Sequence, residues 1–289
     1  MNFLEFLKII LIGIVEGITE WLPISSTGHM LLIDEFITLN MSAAFKEMFF
    51  VVIQLGAIFA VIILFWQKLF PFQNKKHLKK TSPDDHLQLK FFPSLIIKKD
   101  ILIMWLKVAV ACIPTAILGF LLDDFLEQHF GSAISIAIVL IIYGIAFIII
   151  ETWNKKRTPT ITTLNQINYQ TALLFGLFQS LAMIPGTSRS GATIIGALLI
   201  GVSRTIAAEF SFFLAIPTMF GASLFKLIKF GFAFSTIEFI ALITGMLVAF
   251  FVSLFALRFL MNYIKKHDFK IFGWYRILLG ILILLIVSF

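Results

Sequence analysis

The chain has 289 residues, of which 60% are hydrophobic and only 13% charged, with a mean hydropathy of +1.00. A soluble domain carries about 25% charged residues, so composition excludes one. The net charge of +7 does not point to nucleic acid, because the lysines fall between apolar runs, where the positive-inside rule puts them.

Several apolar runs reach the roughly 20 residues that a helix needs to cross a bilayer. A β-barrel would show alternation in segments of about ten residues, and none is visible. Cys112 is the only cysteine, which excludes an intrachain disulfide and a cysteine metal cage. The first apolar run leads straight into Glu16 and Glu20, without the small-residue cleavage site of a signal peptide.

Residues 3 to 22 read as an apolar helix carrying Glu5, Lys8, Glu16 and Glu20. It ends at Pro23, which biases the residue before it away from the helical region. Ser25 and Ser26 then cap a second helix running to Asn40, since serine oxygens accept first-turn amides. That piece is too short to cross a bilayer, so the pair reads as a re-entrant hairpin. Residues 45 to 66 form the first span. Residues 67 to 100 form a polar loop with Lys68, Lys75, Lys76, Lys79, Lys80, Lys90, Lys98 and Lys99. Spans follow at 101 to 122, with Pro114 inside, and at 132 to 152. The link between them is acidic (Asp123, Asp124, Glu127), and the next carries Lys155, Lys156 and Arg157.

Then the pattern restarts. Residues 169 to 184 are apolar, Pro185 breaks them, and 189 to 202 form another short helix. Spans follow at about 209 to 229, 239 to 262 and 273 to 289. A shift of 162 residues (185 − 23) superposes Pro23 on Pro185, Ser26 on Ser188, Ile33 on Ile195, Glu47 on Glu209, Phe50 on Phe212 and Ala60 on Ala222. Each half is one hairpin plus three spans, and an odd number of spans inverts the second copy. The reading is an all-α polytopic membrane protein with six transmembrane helices and two re-entrant hairpins in an inverted-topology repeat. It is one integral membrane domain, 1–289, with repeats at about 1–152 and 165–289. With loop 67–100 in the cytoplasm, the basic loops 153–168 and 263–272 fall on the same side. Asp123, Asp124, Glu127 and Glu238 fall outside, as the positive-inside rule requires.

The two breaks hold most of the polar chemistry. Glu16 and Glu20 are four apart and share one helix face. Carboxylates at that depth are costly unless paired, protonated or bound to a cation. They suit a general acid/base or a metal site, and a plain polar face on a wet cleft is the alternative. Ser25, Ser26 and Thr27 start one half-helix, and Thr187, Ser188 and Ser190 stand around the start of the other. Helix N-termini attract anions, so these hydroxyls read as phosphate-binding; helix capping alone is the competing reading. His29 stands one turn from Ser26, as a general base or a nucleophile. Arg189 offers a planar fork suited to phosphate, or a resting ion pair with Glu16 or Glu20. Glu47 and Glu209 read as capping or pairing near span ends, and His77, His86, His129 and His267 as solvated loop residues.

Glu16-Gly-Ile-Thr-Glu20-Trp-Leu-Pro-Ile-Ser-Ser26-Thr-Gly-His29 and Pro185-Gly-Thr-Ser188-Arg189-Ser190-Gly-Ala-Thr193 resemble the two motifs of the bacterial undecaprenyl-diphosphatase, or bacitracin-resistance, family. The resemblance runs the full chain and implies removal of the terminal phosphate from undecaprenyl diphosphate. That leaves undecaprenyl phosphate, the lipid carrier for cell-wall building blocks. It implies catalytic roles for Glu16, Glu20, Ser26, His29 and Arg189, and phosphate binding by Ser188, Arg189 and Thr193. It also implies dependence on a divalent cation, magnesium or calcium, for which Glu16 and Glu20 are the candidate ligands. The partners expected are a polyprenyl diphosphate lipid and the bilayer of the bacterial cytoplasmic membrane, with the site facing outward. A homodimer stays open. Ser26 reads as nucleophile with His29, oriented by Glu20, taking its proton; attack by His29 or by water is the alternative. Inverted repeats with broken helices also suit a lipid-phosphate transporter.

Overall fold

The computed structural model describes residues 2–74, 86–88 and 95–288. Lys75, Lys76, Lys79, Lys80, Lys90 and His77 lie outside the described residues. Asn2 caps α1 (Phe3–Thr19), which stops short of Pro23. The chain turns instead at Glu20–Ile24, and α2 is Ser26–Phe36. Helix α2 ends before Asn40 because the amide of Asn40 bonds Glu5 Oε2 at 3.0 Å and Lys8 takes the Thr38 carbonyl at 2.7 Å. Tertiary bonds from the start of α1 thus claim the residues that a longer α2 would use.

The first span is two helices, α3 (Ala43–Val52) and α4 (Gln54–Leu64), separated at Ile53. The break sets Gln54 facing Glu16. A short helix, α5 (Trp66–Leu69), follows. The predicted polar loop holds a small antiparallel sheet of β1 (Phe72–Asn74), β2 (His86–Gln88) and β3 (Leu95–Lys98), in the order β1-β3-β2. An all-α description is therefore corrected at this one place.

Helix α6 (Lys99–Phe130) runs on through the predicted acidic link. Leu, Glu and Gln propagate helix well, so the helix outlasts its apolar stretch, Lys99–Leu122. The remaining helices are α7 (Ala133–Asn154), α8 (Tyr169–Ser180), α9 (Arg189–Leu199), α10 (Arg204–Phe230), α11 (Thr236–Ile264) and α12 (Lys270–Ser288). A 3-10 turn, Leu181–Met183, ends the α8 arm. Among the described residues, six segments are long and apolar enough to cross a membrane. The chain is a polytopic helical membrane protein.

Packing crosses between the halves. Helix α1 lies on α11, α8 on α6, and α7 on α12. Glycines allow the close approaches: a Cβ on Gly176 would sit 2.1 Å from the Ala111 carbonyl of α6, and one on Gly56 2.0 Å from the Met246 carbonyl of α11. Small residues serve this purpose in lipid, where no hydrophobic force drives helices together. Helix α10 runs through the middle, touching α3, α4, α6, α9 and α11. Its Phe210 meets Phe175 edge-on and its Phe212 meets Trp21 edge-on.

Ion pairs cross the halves as well. Lys68 pairs with Glu209 at 2.7 Å, and Lys226 pairs with Glu47. Glu151, fully buried at the end of α7, takes the Arg204 fork and the Phe269 amide.

The internal match needs one change of register. Ser25 and Ser188 both adopt positive φ (73° and 70°) and both cap a half-helix. Each accepts the amide three residues on, from Gly28 and Gly191. Equivalence at the half-helices is thus a shift of 163 (188 − 25), not 162. The second break carries one more residue between its proline and its cap, which aligning the prolines conceals. Ser26 therefore matches Arg189, and Ser25 matches Ser188.

Candidate active site

The two breaks meet. Ser190 Oγ, at the start of α9, donates to the Glu20 carbonyl at 3.2 Å and lies 3.4 Å from that of Leu22. Arg276 of α12 donates to the Gly186 and Thr187 carbonyls at 2.8 and 2.9 Å, and to Pro23 at 3.4 Å. One buried guanidinium thus ties both turns together, over the Tyr143 ring. Turn carbonyls in apolar surroundings need donors, and water is scarce there.

At the junction, Arg189 grips Glu20. Its Nε and Nη2 lie 3.2 and 3.0 Å from Glu20 Oε1, and Nη1 donates to the Ser211 carbonyl at 2.9 Å. Ser26 Oγ donates to the other carboxylate oxygen of Glu20 at 3.3 Å. Thr193 Oγ1 stands 2.6 Å from Ser211 Oγ and 2.9 Å from the Arg189 carbonyl. Ser188 Oγ stands 3.2 Å from Ser190 Oγ. Glu20, Ser26, Ser188, Arg189, Ser190 and Thr193 therefore form one connected cluster. Ser25 acts as a cap, and Thr27 is exposed without a side-chain bond among the described residues.

His29 is held differently from expectation. Its Nδ1 lies 2.7 Å from the Ser25 carbonyl and its Nε2 2.7 Å from the Tyr275 hydroxyl. A carbonyl partner makes Nδ1 the protonated nitrogen, which leaves Nε2 as the basic one. Glu20 does not orient it, because both ring nitrogens are taken, by the Ser25 carbonyl and the Tyr275 hydroxyl. Ser26 and His29, three residues apart on α2, still share a face.

Polar atoms are left over at the junction. Glu16 Oε1, Trp21 Nε1 and Arg276 Nε are buried without a partner among the described residues. Each costs about 1–3 kcal/mol in that state, a cost that a polar ligand would remove. Among the described residues no three His, Cys, Asp or Glu side chains gather, so the acidic donors here are the Glu16 and Glu20 pair.

The model for a family described as Bacitracin resistance protein BacA matches residues 9–282, both breaks included. The chain belongs to this family. An undecaprenyl-diphosphatase of Enterococcus faecalis is 64% identical over 288 residues, covering 100% of this chain and 99% of the relative. One of Acetivibrio thermocellus is 58% identical over 282 residues, covering 98% and 97%. One of Desulfitobacterium hafniense is 57% identical over 289 residues, covering 100% and 98%.

Three residues bonded to this site escaped the sequence reading. Arg276 had a signal, since a lone arginine inside a span is a functional candidate by default. Ser211 and Tyr275 had none, because a hydroxyl in an apolar run reads as an ordinary lining residue. Replacing Arg276 by methionine strands three carbonyls and is expected to cost about 3 kcal/mol. Thermal unfolding in detergent would show it, and Arg276→Lys, which lacks the fork, would recover little.

Proposed function

We infer that the chain hydrolyses undecaprenyl diphosphate to undecaprenyl phosphate and inorganic phosphate. This recycles the cell-wall lipid carrier and confers bacitracin resistance. Full-length identity to curated undecaprenyl-diphosphatases supports the activity. The observation that carries the site is the Arg189–Glu20–Ser26 cluster where two broken helices meet.

The diphosphate would sit at the starts of α2 and α9, whose first-turn amides and dipoles favour anions. Arg189 lies in a resting pair with Glu20 that an arriving phosphate can share. Arg276, buried without a carboxylate, adds charge that an anion would balance. Ser26 Oγ attacks the terminal phosphorus, giving its proton to Glu20, the carboxylate it already faces. The bridging P–O bond breaks and undecaprenyl phosphate leaves. His29 Nε2, freed from Tyr275, then takes a proton from water, which attacks the phosphoserine; the P–Oγ bond breaks, Glu20 returns its proton to Ser26 Oγ, and phosphate leaves. Arg189 stabilises charge on the transferring group, the larger part of phosphoryl-transfer catalysis.

Glu16, with Glu20 beside it, would hold a magnesium or calcium ion. Magnesium is commonly held by one or two carboxylates plus substrate phosphates, and Glu16 keeps an oxygen without a partner. When bound, the ion would neutralise diphosphate charge.

The reading includes two re-entrant hairpins in an inverted repeat. Supporting it are the matched caps at Ser25 and Ser188, the reciprocal packing of α1 on α11 and α8 on α6, and the reciprocal pairs Lys68–Glu209 and Lys226–Glu47. The membrane is the bacterial cytoplasmic one, with the basic loops inside, as the positive-inside rule favours, and the site opening outward, where the carrier is released as its diphosphate. Phosphate release from undecaprenyl diphosphate by the purified protein tests the function. Magnesium or calcium is expected to support turnover and a chelator to stop it. No release from folded protein under any cation would sink the reading and leave lipid-phosphate transport.

A further inference from the structure

Away from the two breaks, the far end of α9 lines a cavity of about 770 Å³. Its lining is Asn154, the stretch from Lys156 to Thr160, the stretch from Leu198 to Thr205, and Ile264 with Lys265. Helix α9 has 11 residues, about 16 Å at 1.5 Å each, so this cavity is separate from the Arg189 cluster.

Its charge is one-sided. Lys156, Arg157, Arg204 and Lys265 line it, and no carboxylate does. The salt bridges at this end take Lys155 to Asp268 and Arg204 to Glu151. They leave Lys156 and Lys265 unpaired among the described residues. Arg157 is already ordered, its guanidinium 3.5 Å over the Trp153 ring. Helix α10, 27 residues long, begins in the lining, and the Ser203 side chain does not cap it. An uncapped N-terminus beside unpaired cations favours an anion. Its apolar lining includes Leu198, Leu199 and Ile264.

We propose that this cavity is a second site, binding the phosphate group of an anionic lipid headgroup at the basic face of the protein. Basic pockets between membrane helices on the cytoplasmic side take such headgroups. The cations and the start of α10 meet the phosphate, while the apolar lining meets the first acyl carbons. Trp153 stands where an aromatic ring marks the interface.

The test is a binding measurement, so it stands apart from the phosphatase reading. The full-length chain and a Lys156→Ala/Lys265→Ala variant are purified in detergent. Each is titrated with phosphatidylglycerol or phosphatidylcholine, and native mass spectrometry reads bound lipid. The wild type is expected to prefer phosphatidylglycerol, and the variant to bind it roughly tenfold more weakly. A second arm adds inorganic phosphate and follows thermal unfolding. Protection of the wild type alone, without lipid preference, upholds the phosphate site and assigns it to free phosphate. Unfolding midpoints without ligand show that the variant is folded. Neither lipid preference nor phosphate protection in the wild type, or equal responses in both proteins, overturns the proposal.

Discussion

Arg189→Ala is expected to lower kcat/KM for undecaprenyl diphosphate by about 10³-fold, the range seen when a phosphoryl-transfer arginine is lost. The guanidinium is the group best placed to meet charge on the transferring phosphate, since it already holds a carboxylate in a two-point grip. Removing it also leaves Glu20 buried with Ser26 as its only remaining side-chain partner. Stranding one partner of a buried pair costs about 3–5 kcal/mol, so the variant should unfold earlier as well. Glu20→Gln/Arg189→Ala separates the two effects: stability should return in part while turnover stays low. Arg189→Lys keeps the charge but loses the fork, and is expected to recover only a minor part of the activity. Near-normal turnover in Arg189→Ala would place phosphate recognition elsewhere, with Arg276 the next candidate.

Ser26→Ala is expected to reduce kcat by at least about 10³-fold with the fold intact, because a lost nucleophile removes the reaction path and little else. The serine is only partly buried and its one side-chain bond is to Glu20, so its removal opens no large cavity. The companion variant is His29→Ala. If His29 activates the water that hydrolyses the phosphoserine, this protein should trap a phosphate on Ser26, visible by intact mass after one turnover. Substantial turnover in Ser26→Ala would mean direct attack by water. Phosphate on His29 instead would make the imidazole the nucleophile.

Both variants probe a site whose parts were unequally legible. The proline breaks, the paired glutamates and Arg189 stood out, because polar groups within apolar runs are costly and rare. How they connect was not legible. His29 was expected beside Glu20, but α2 turns it toward Tyr275, more than 240 positions away in the chain. The caps at Ser25 and Ser188 were displaced by one residue from the apparent match, because a turn's backbone angles, not its proline, decide where a helix starts.

Composition and the length of apolar runs determined the class of this protein. A helix that satisfies its own backbone bonds is the stable way for an apolar segment to cross lipid, so six spans could be counted without coordinates. Loop charge suggested which face is basic, for an equally local reason. Only the tertiary structure decided that α1 lies on α11 and α8 on α6, that Arg276 joins the two breaks, and that Arg189 rests on Glu20. The helix pairings depend on how closely backbones can approach at residues such as Gly17 and Gly176. The polar ones depend on which buried donors reach which buried acceptors, and partners 90 to 250 positions apart leave no periodicity in the chain to read.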